Sequence, residues 1–175
     1  WSTLSYERLN QSATTATAHR LSLVGAHFVQ LGDIRTGGRF AMESYYTDRN
    51  EPGIINNFAR ALQVYGDHKQ SERKFHDLVS MRPGYVLGWY NLGIARYNLK
   101  DSDGMAAAFD VALDLGSPRH RVARMAWYTA LLYVQEKQLA RAYPLLVSVQ
   151  SQLNGELKQS ATELLAIVER ELAQQ

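Results

Sequence analysis

Residues 89–97 read WYNLGIARY, and residues 98–118 continue as NLKDSDGMAAAFDVALDLGSP. Trp89, the Leu92–Gly93 pair, Asp101, Phe109 and Ala112–Leu113 form a spaced set whose meaning depends on whether it recurs. It recurs at an interval of 34 residues. Gly93 falls on Ala59 and Gly25, Leu92 on Phe58 and Val24, and Trp89 on Ile55 and Leu21. Phe109 falls on Phe75, and Asp101 on Asp67 and Asp33, the last two preceded by Gly66 and Gly32. Prolines at 52, 83 and 118 keep nearly the same interval, and strand-like alternation is nearly absent. With three extra residues allowed around Gly116–Arg119, a fourth copy supplies Ala130, Tyr133, Ala142, Leu146 and Val149 at matching places.

Two antiparallel helices per unit account for this spacing. A small residue in the first helix (Gly25, Ala59, Gly93, Ala130) permits close approach of its partner, and a second follows twelve residues later at Gly37, Ser71 and Ala142. Met105 breaks that second rule and calls for a locally wider contact. Large apolar side chains fill the space between helices at i, i+3, i+4, i+7 spacing. At the turn, glycine supplies a positive φ and aspartate caps the next helix. Each unit buries its apolar face only against a neighbour, so stability comes from stacking.

The expected organisation is therefore four units over 18–51, 52–85, 86–119 and 123–156. A helical or irregular segment over 1–17 precedes them, with Ser-Thr-Ala residues 12–17 as a weaker joint. Residues 157–175 read as an amphipathic capping helix, with Leu157, Ala161, Leu164, Leu165, Val168 and Leu172 on one face. The fold class is all-α, a right-handed superhelical solenoid of helix pairs.

The stretch WYNLG…AAAFDVALDLGSP resembles the tetratricopeptide repeat (TPR). Residues 86–118 match well, 52–85 match in turn, Phe75 and Pro83, and the outer two units are degenerate. Arg96 stands where that family usually has an aromatic, and Pro144 falls near the first turn of a second helix. The resemblance implies a protein-binding scaffold. Some members grip a chaperone-tail carboxylate with Lys and Asn in the first unit, Asn in the second, and Lys and Arg in the third. Here Asn57 matches, but Ser22, Ala26, Leu87 and Asn91 stand at the other places, so that clamp is not expected.

Composition excludes several function classes. Nineteen Lys and Arg against seventeen Asp and Glu leave a net charge of only +2, with charges interspersed, so no nucleic-acid partner is expected. The densest basic cluster, Arg119–His120–Arg121 with Arg124, reads as a solvated loop between helices. There is no cysteine, which removes disulfides, thiolate catalysis and cysteine-ligated zinc. The five histidines form no i, i+4 pair, so no metal site is expected. Asp101–Gly104 begins like a calcium loop but lacks the later ligands, above all the bidentate Glu. No phosphate loop or nucleophile elbow occurs, and no cofactor is expected. The chain reads as non-enzymatic.

Candidate ligand residues lie on the faces of first helices that packing does not use. In the second unit these are Asn56, Asn57, Arg60 and Gln63; in the third, Tyr90, Asn91, Ile94 and Tyr97. The fourth supplies Arg124, Trp127, Tyr128 and Leu131, and the first His19, Ser22, Ala26 and Val29. Amides bond an extended backbone, rings take side chains, and arginine takes a carboxylate. The competing reading is that the rings and amides only pack against neighbouring helices. No apolar run is long enough to span a bilayer, so membrane attachment is expected only through segments outside this chain. The Trp1 start suggests a processed chain or a piece of a longer protein, and the lack of cysteine fits a periplasmic or membrane-tethered setting. The alternatives to a free scaffold are a soluble domain of a bacterial envelope protein (glycan-handling, pilus or secretion assembly) and a secretion chaperone.

Overall fold

The computed structural model describes residues 3–174, with side-chain surroundings from Gln11 onward. Nine helices and no strand occur among the described residues: α1 (Thr3–Gln30), α2 (Ile34–Thr47), α3 (Pro52–Tyr65), α4 (His68–Met81), α5 (Val86–Asn98), α6 (Ser102–Asp114), α7 (Arg119–Gln135), α8 (Leu139–Gln150) and α9 (Gly155–Leu172). Successive helices pack as pairs, and α1, α3, α5 and α7 also touch one another in order. The first helices thus form one continuous layer, with the second helices stacked against it.

The turn inside each pair has one chemical design. Gly32, Gly66, Lys100 and Lys137 all adopt positive φ, at 84°, 94°, 61° and 58°. In each turn the next residue's N–H reaches back to a carbonyl five residues earlier: Asp33 to Phe28, Asp67 to Leu62, Asp101 to Arg96 and Gln138 to Tyr133. This closes the first helix as a Schellman-type cap. The Asp33, Asp67 and Asp101 carboxylates then accept from the N–H of Thr36, Gln70 and Gly104, opening the second helix.

Contacts within pairs follow from residue size. A Cβ at Gly25 would stand 2.9 Å from both Ala41 N and Gly37 O, so α1 and α2 meet backbone to backbone. The Ser71 hydroxyl donates to Ala59 O at 2.9 Å, binding α4 to α3. In the third pair the close contact at Gly93 is with the Phe109 ring, while Met105 is fully buried. Arg96, lacking the aromatic bulk usual at its place, serves α5 by charge instead. Its Nε lies 3.2 Å from Glu72 Oε1 on α4, and its Nη1 donates to Gly104 O on α6.

Three features differ from the sequence expectation. Helix α1 runs without interruption through positions 12–17, because the hydroxyls find partners there: Thr17 donates to Ala13 O and Thr15 to the Asp48 carboxylate. Trp1 and Ser2 lie outside the described residues. Pro144 sits well inside α8, where its missing N–H falls on the exposed side. Arg119–Arg121 do not form a loop. With Pro118 at the N-cap, the extra residues before the fourth unit lengthen α7 to 17 residues at its N-terminus.

At the C-terminal end, Ala161, Leu165 and Val168 of α9 are buried with Leu146, Val149 and Leu153. No described helix is long and apolar enough to cross a membrane.

Candidate functional site

Because α3, α5 and α7 lie side by side, residues at equivalent places on them face one surface. There they border an open groove of about 360 Å³. Arg60 and Gln63 come from α3, Tyr90, Asn91 and Ile94 from α5, and Arg124 and Tyr128 from α7. All seven are candidates by sequence. Beyond Arg60 lies a narrower hollow bordered by Ala26, Val29, Asn57 and Val64. Arg60 and Val64 border both, so the small hollow adjoins the groove, and the groove is the channel along the first-helix layer.

The amides are engaged within the protein. Asn91 Nδ2 donates to Asn56 Oδ1 at 2.8 Å, Asn56 Nδ2 to Asn57 Oδ1 at 3.4 Å, and Asn57 Nδ2 to Ser22 Oγ at 2.8 Å. This ladder ties α5 to α3 and α3 to α1. Asn56 and Asn91 are 3% and 5% exposed, so their amides serve the stack and are not offered to an extended ligand. Asn57 is half-buried at the edge of the hollow.

Two aromatic candidates lie off the groove wall. Trp127 is 6% exposed, in the core with Ala123, Ala130 and Leu139, because its place beside Arg124 and Tyr128 turns it toward α8. Tyr97 is half-buried, with its ring centroid 5.0 Å from that of Tyr128 and its hydroxyl accepting from Gln135 Nε2 at 3.4 Å. It therefore supports Tyr128 from behind. Burial raises the Tyr128 hydroxyl above its ordinary value of 10.0, with Tyr90 adding and Arg124 opposing. At neutral pH that hydroxyl is protonated and can donate a hydrogen bond.

His120, Arg121, Leu87 and Val64 also line the groove, and sequence reasoning does not select them. The signal for the cations is present all the same. Arg121, Arg124 and Tyr128 are spaced i, i+3, i+7, one face of a helix. Reading Arg119–His120–Arg121 with Arg124 as a loop obscures it. Arg121 sits with its guanidinium carbon 6.0 Å from the Tyr90 ring centroid. Arg60, His120, Arg121 and Arg124 enter no ion pair among the described residues, and no carboxylate borders the groove.

This geometry suits an elongated ligand: an open channel with an apolar floor from Leu87, Tyr90 and Ile94 and cationic edges. Among the described residues no group of three His, Asp or Glu side chains is placed to hold a metal ion.

Solved structures place the architecture. The APC/C hetero-tetramer Cut9–Hcn1 superposes with a TM-score of 0.75 at 22% identity, over 90% of this chain and 32% of that one. TTC0263, a thermophilic TPR protein of Thermus thermophilus, gives a TM-score of 0.72 at 16% identity, over 89% and 82% of the two chains. The chain has the tetratricopeptide-repeat fold. The TPR domain of Sgt2 from Aspergillus fumigatus matches likewise, with a TM-score of 0.60 at 17% identity over 71% of this chain and 82% of that one. The all-α superhelical solenoid expected from WYNLG and its copies is therefore the observed class. The chain spans about a third of the length of the Cut9–Hcn1 chain it matches. No family model matches the sequence, and neither does any curated protein.

Proposed function

We propose that this chain is a non-catalytic scaffold that holds a protein partner, as an extended segment, in the channel across α3, α5 and α7. The observation that carries the reading is the open groove shared by α3, α5 and α7. Residues from three consecutive first helices line it, and it combines a half-buried apolar floor with polar edges. An extended chain gains affinity in such a channel from side-chain burial and polar anchors spread along its length. The fold supports the reading, and the Cut9–Hcn1 neighbour is itself described as part of a hetero-tetramer, a setting in which a repeat scaffold belongs to a larger assembly.

The experiment is selection of short peptides from a random library on the intact chain, followed by challenge with Ile94→Glu. Ile94 is half-buried and packs at the margin of the Tyr90–Met125 core, so the variant's unfolding midpoint is checked beside its affinity. The exposed Val64→Glu, which also borders the groove, serves as a second variant. The reading expects selected peptides to lose about tenfold or more in affinity with either variant, the scale of one lost anchor. Peptides that bind wild type and both variants equally would place the binding surface elsewhere.

A further inference from the structure

The channel is one-sided in charge although the chain as a whole is nearly neutral, at +2. The three arginines and His120 line it from two different helices, α3 and α7. None of these groups has an acidic partner among the described residues, whereas Lys74 pairs with Asp77 and Arg96 with Glu72 and Asp101. Arginine is planar and presents paired N–H donors that match a carboxylate. Arg121 is already oriented by the Tyr90 ring.

We propose that the channel takes an internal acidic segment of a protein partner, one carboxylate on Arg60 and another between Arg121 and Arg124. The proposal rests on the scaffold reading above and names the chemistry of what the scaffold holds. Arg60 and Arg124 stand two helix steps apart, on the order of 16–20 Å at the usual packing distance. An extended chain advances roughly 3.3 Å per residue. The two acids therefore belong about five or six residues apart, with an apolar side chain between them over Leu87, Tyr90 and Ile94. The two cationic points lie well apart and each suits a side-chain carboxylate, so the occupant is an interior stretch of the partner.

The test uses the intact chain and a fluorescent, end-blocked peptide carrying two Glu residues about five positions apart around a Leu. Fluorescence anisotropy at two salt concentrations gives the affinity. The Glu peptide is expected to bind, to weaken as salt rises, and to lose about tenfold or more when either Glu becomes Gln. Arg60→Glu and Arg124→Glu lower affinity for the Glu peptide by a similar factor, and a peptide with one Glu replaced by Lys recovers part of the loss. Both arginines are exposed, so these variants keep the fold. Equal binding of Glu and Gln peptides overturns the acidic-segment proposal while leaving the scaffold reading intact. Absence of binding by either peptide overturns it too, and the library selection then decides the scaffold reading separately. Displacement of the Glu peptide by a single-stranded oligonucleotide at lower concentration would assign the cations to nucleic acid instead.

Discussion

Gly37 and Gly38 are neighbours in α2 with opposite surroundings. A Cβ at Gly37 would stand 2.6 Å from Val29 Cγ2 and 2.8 Å from Gly25 O, whereas one at Gly38 meets nothing within 4 Å. Gly37→Ala is expected to destabilise by about 1–3 kcal/mol through overpacking against backbone, and Gly38→Ala to stabilise by about 0.5–1 kcal/mol through helix propensity. Denaturant midpoints of the two variants check both signs. The same reasoning applies to Asn91, whose amide donates to the buried Asn56 Oδ1. Asn91→Ala is expected to cost about 1–3 kcal/mol by depriving that oxygen of its donor, again read by denaturant unfolding. Gly25, Gly37 and Gly93 are legible in the sequence, since small residues at repeat positions imply close helices. The asparagine ladder is not. A helical periodicity gives the face of Asn56 and Asn91 but not whether the neighbouring helix stands close enough to bond them.

At the scale of the element, the repeated turn is the clearest case of sequence dictating geometry. Gly32–Asp33 and Gly66–Asp67 read as a left-handed cap followed by an N-cap, and both residues do those jobs. Lys100 holds the same conformation with a Cβ, at φ 61°. Left-handed backbone costs a non-glycine residue about 1 kcal/mol, so Lys100→Gly is expected to raise thermal stability by a smaller amount once the added freedom of the unfolded chain is subtracted. Asp33 gives a pH signature. The Thr36 N–H and hydroxyl hold its carboxyl below the ordinary 3.8. Its contribution is thus present above that value and lost as pH falls through the lower folded one. Asp33→Asn is expected to flatten that part of the acid limb, measured as denaturation midpoint against pH. The start of α7 is hard to read because Pro118 looks like the end of a unit. It is instead the N-cap of a longer helix, and that lengthening brings His120 and Arg121 onto the channel.

Taken as a whole molecule, the array buries each pair against the next and leaves the first-helix layer open along one side. Repeat period, helix pairing and the apolar face of α9 all follow from residue spacing. The channel is legible only in part, because its wall is made by adjacency of α3, α5 and α7. Spacing selects Arg60, Ile94, Arg124 and Tyr128, which line it, together with Trp127, which the core absorbs. A photo-reactive benzoylphenylalanine tests this layer directly. Placed at Gln63 or Val64 on the channel, or at the exposed Ala107 on α6, it reports which surface a bound peptide touches. Crosslinks to a selected peptide from Gln63 and Val64, with none from Ala107, are the predicted result; crosslinks from Ala107 with none from the channel would contradict it.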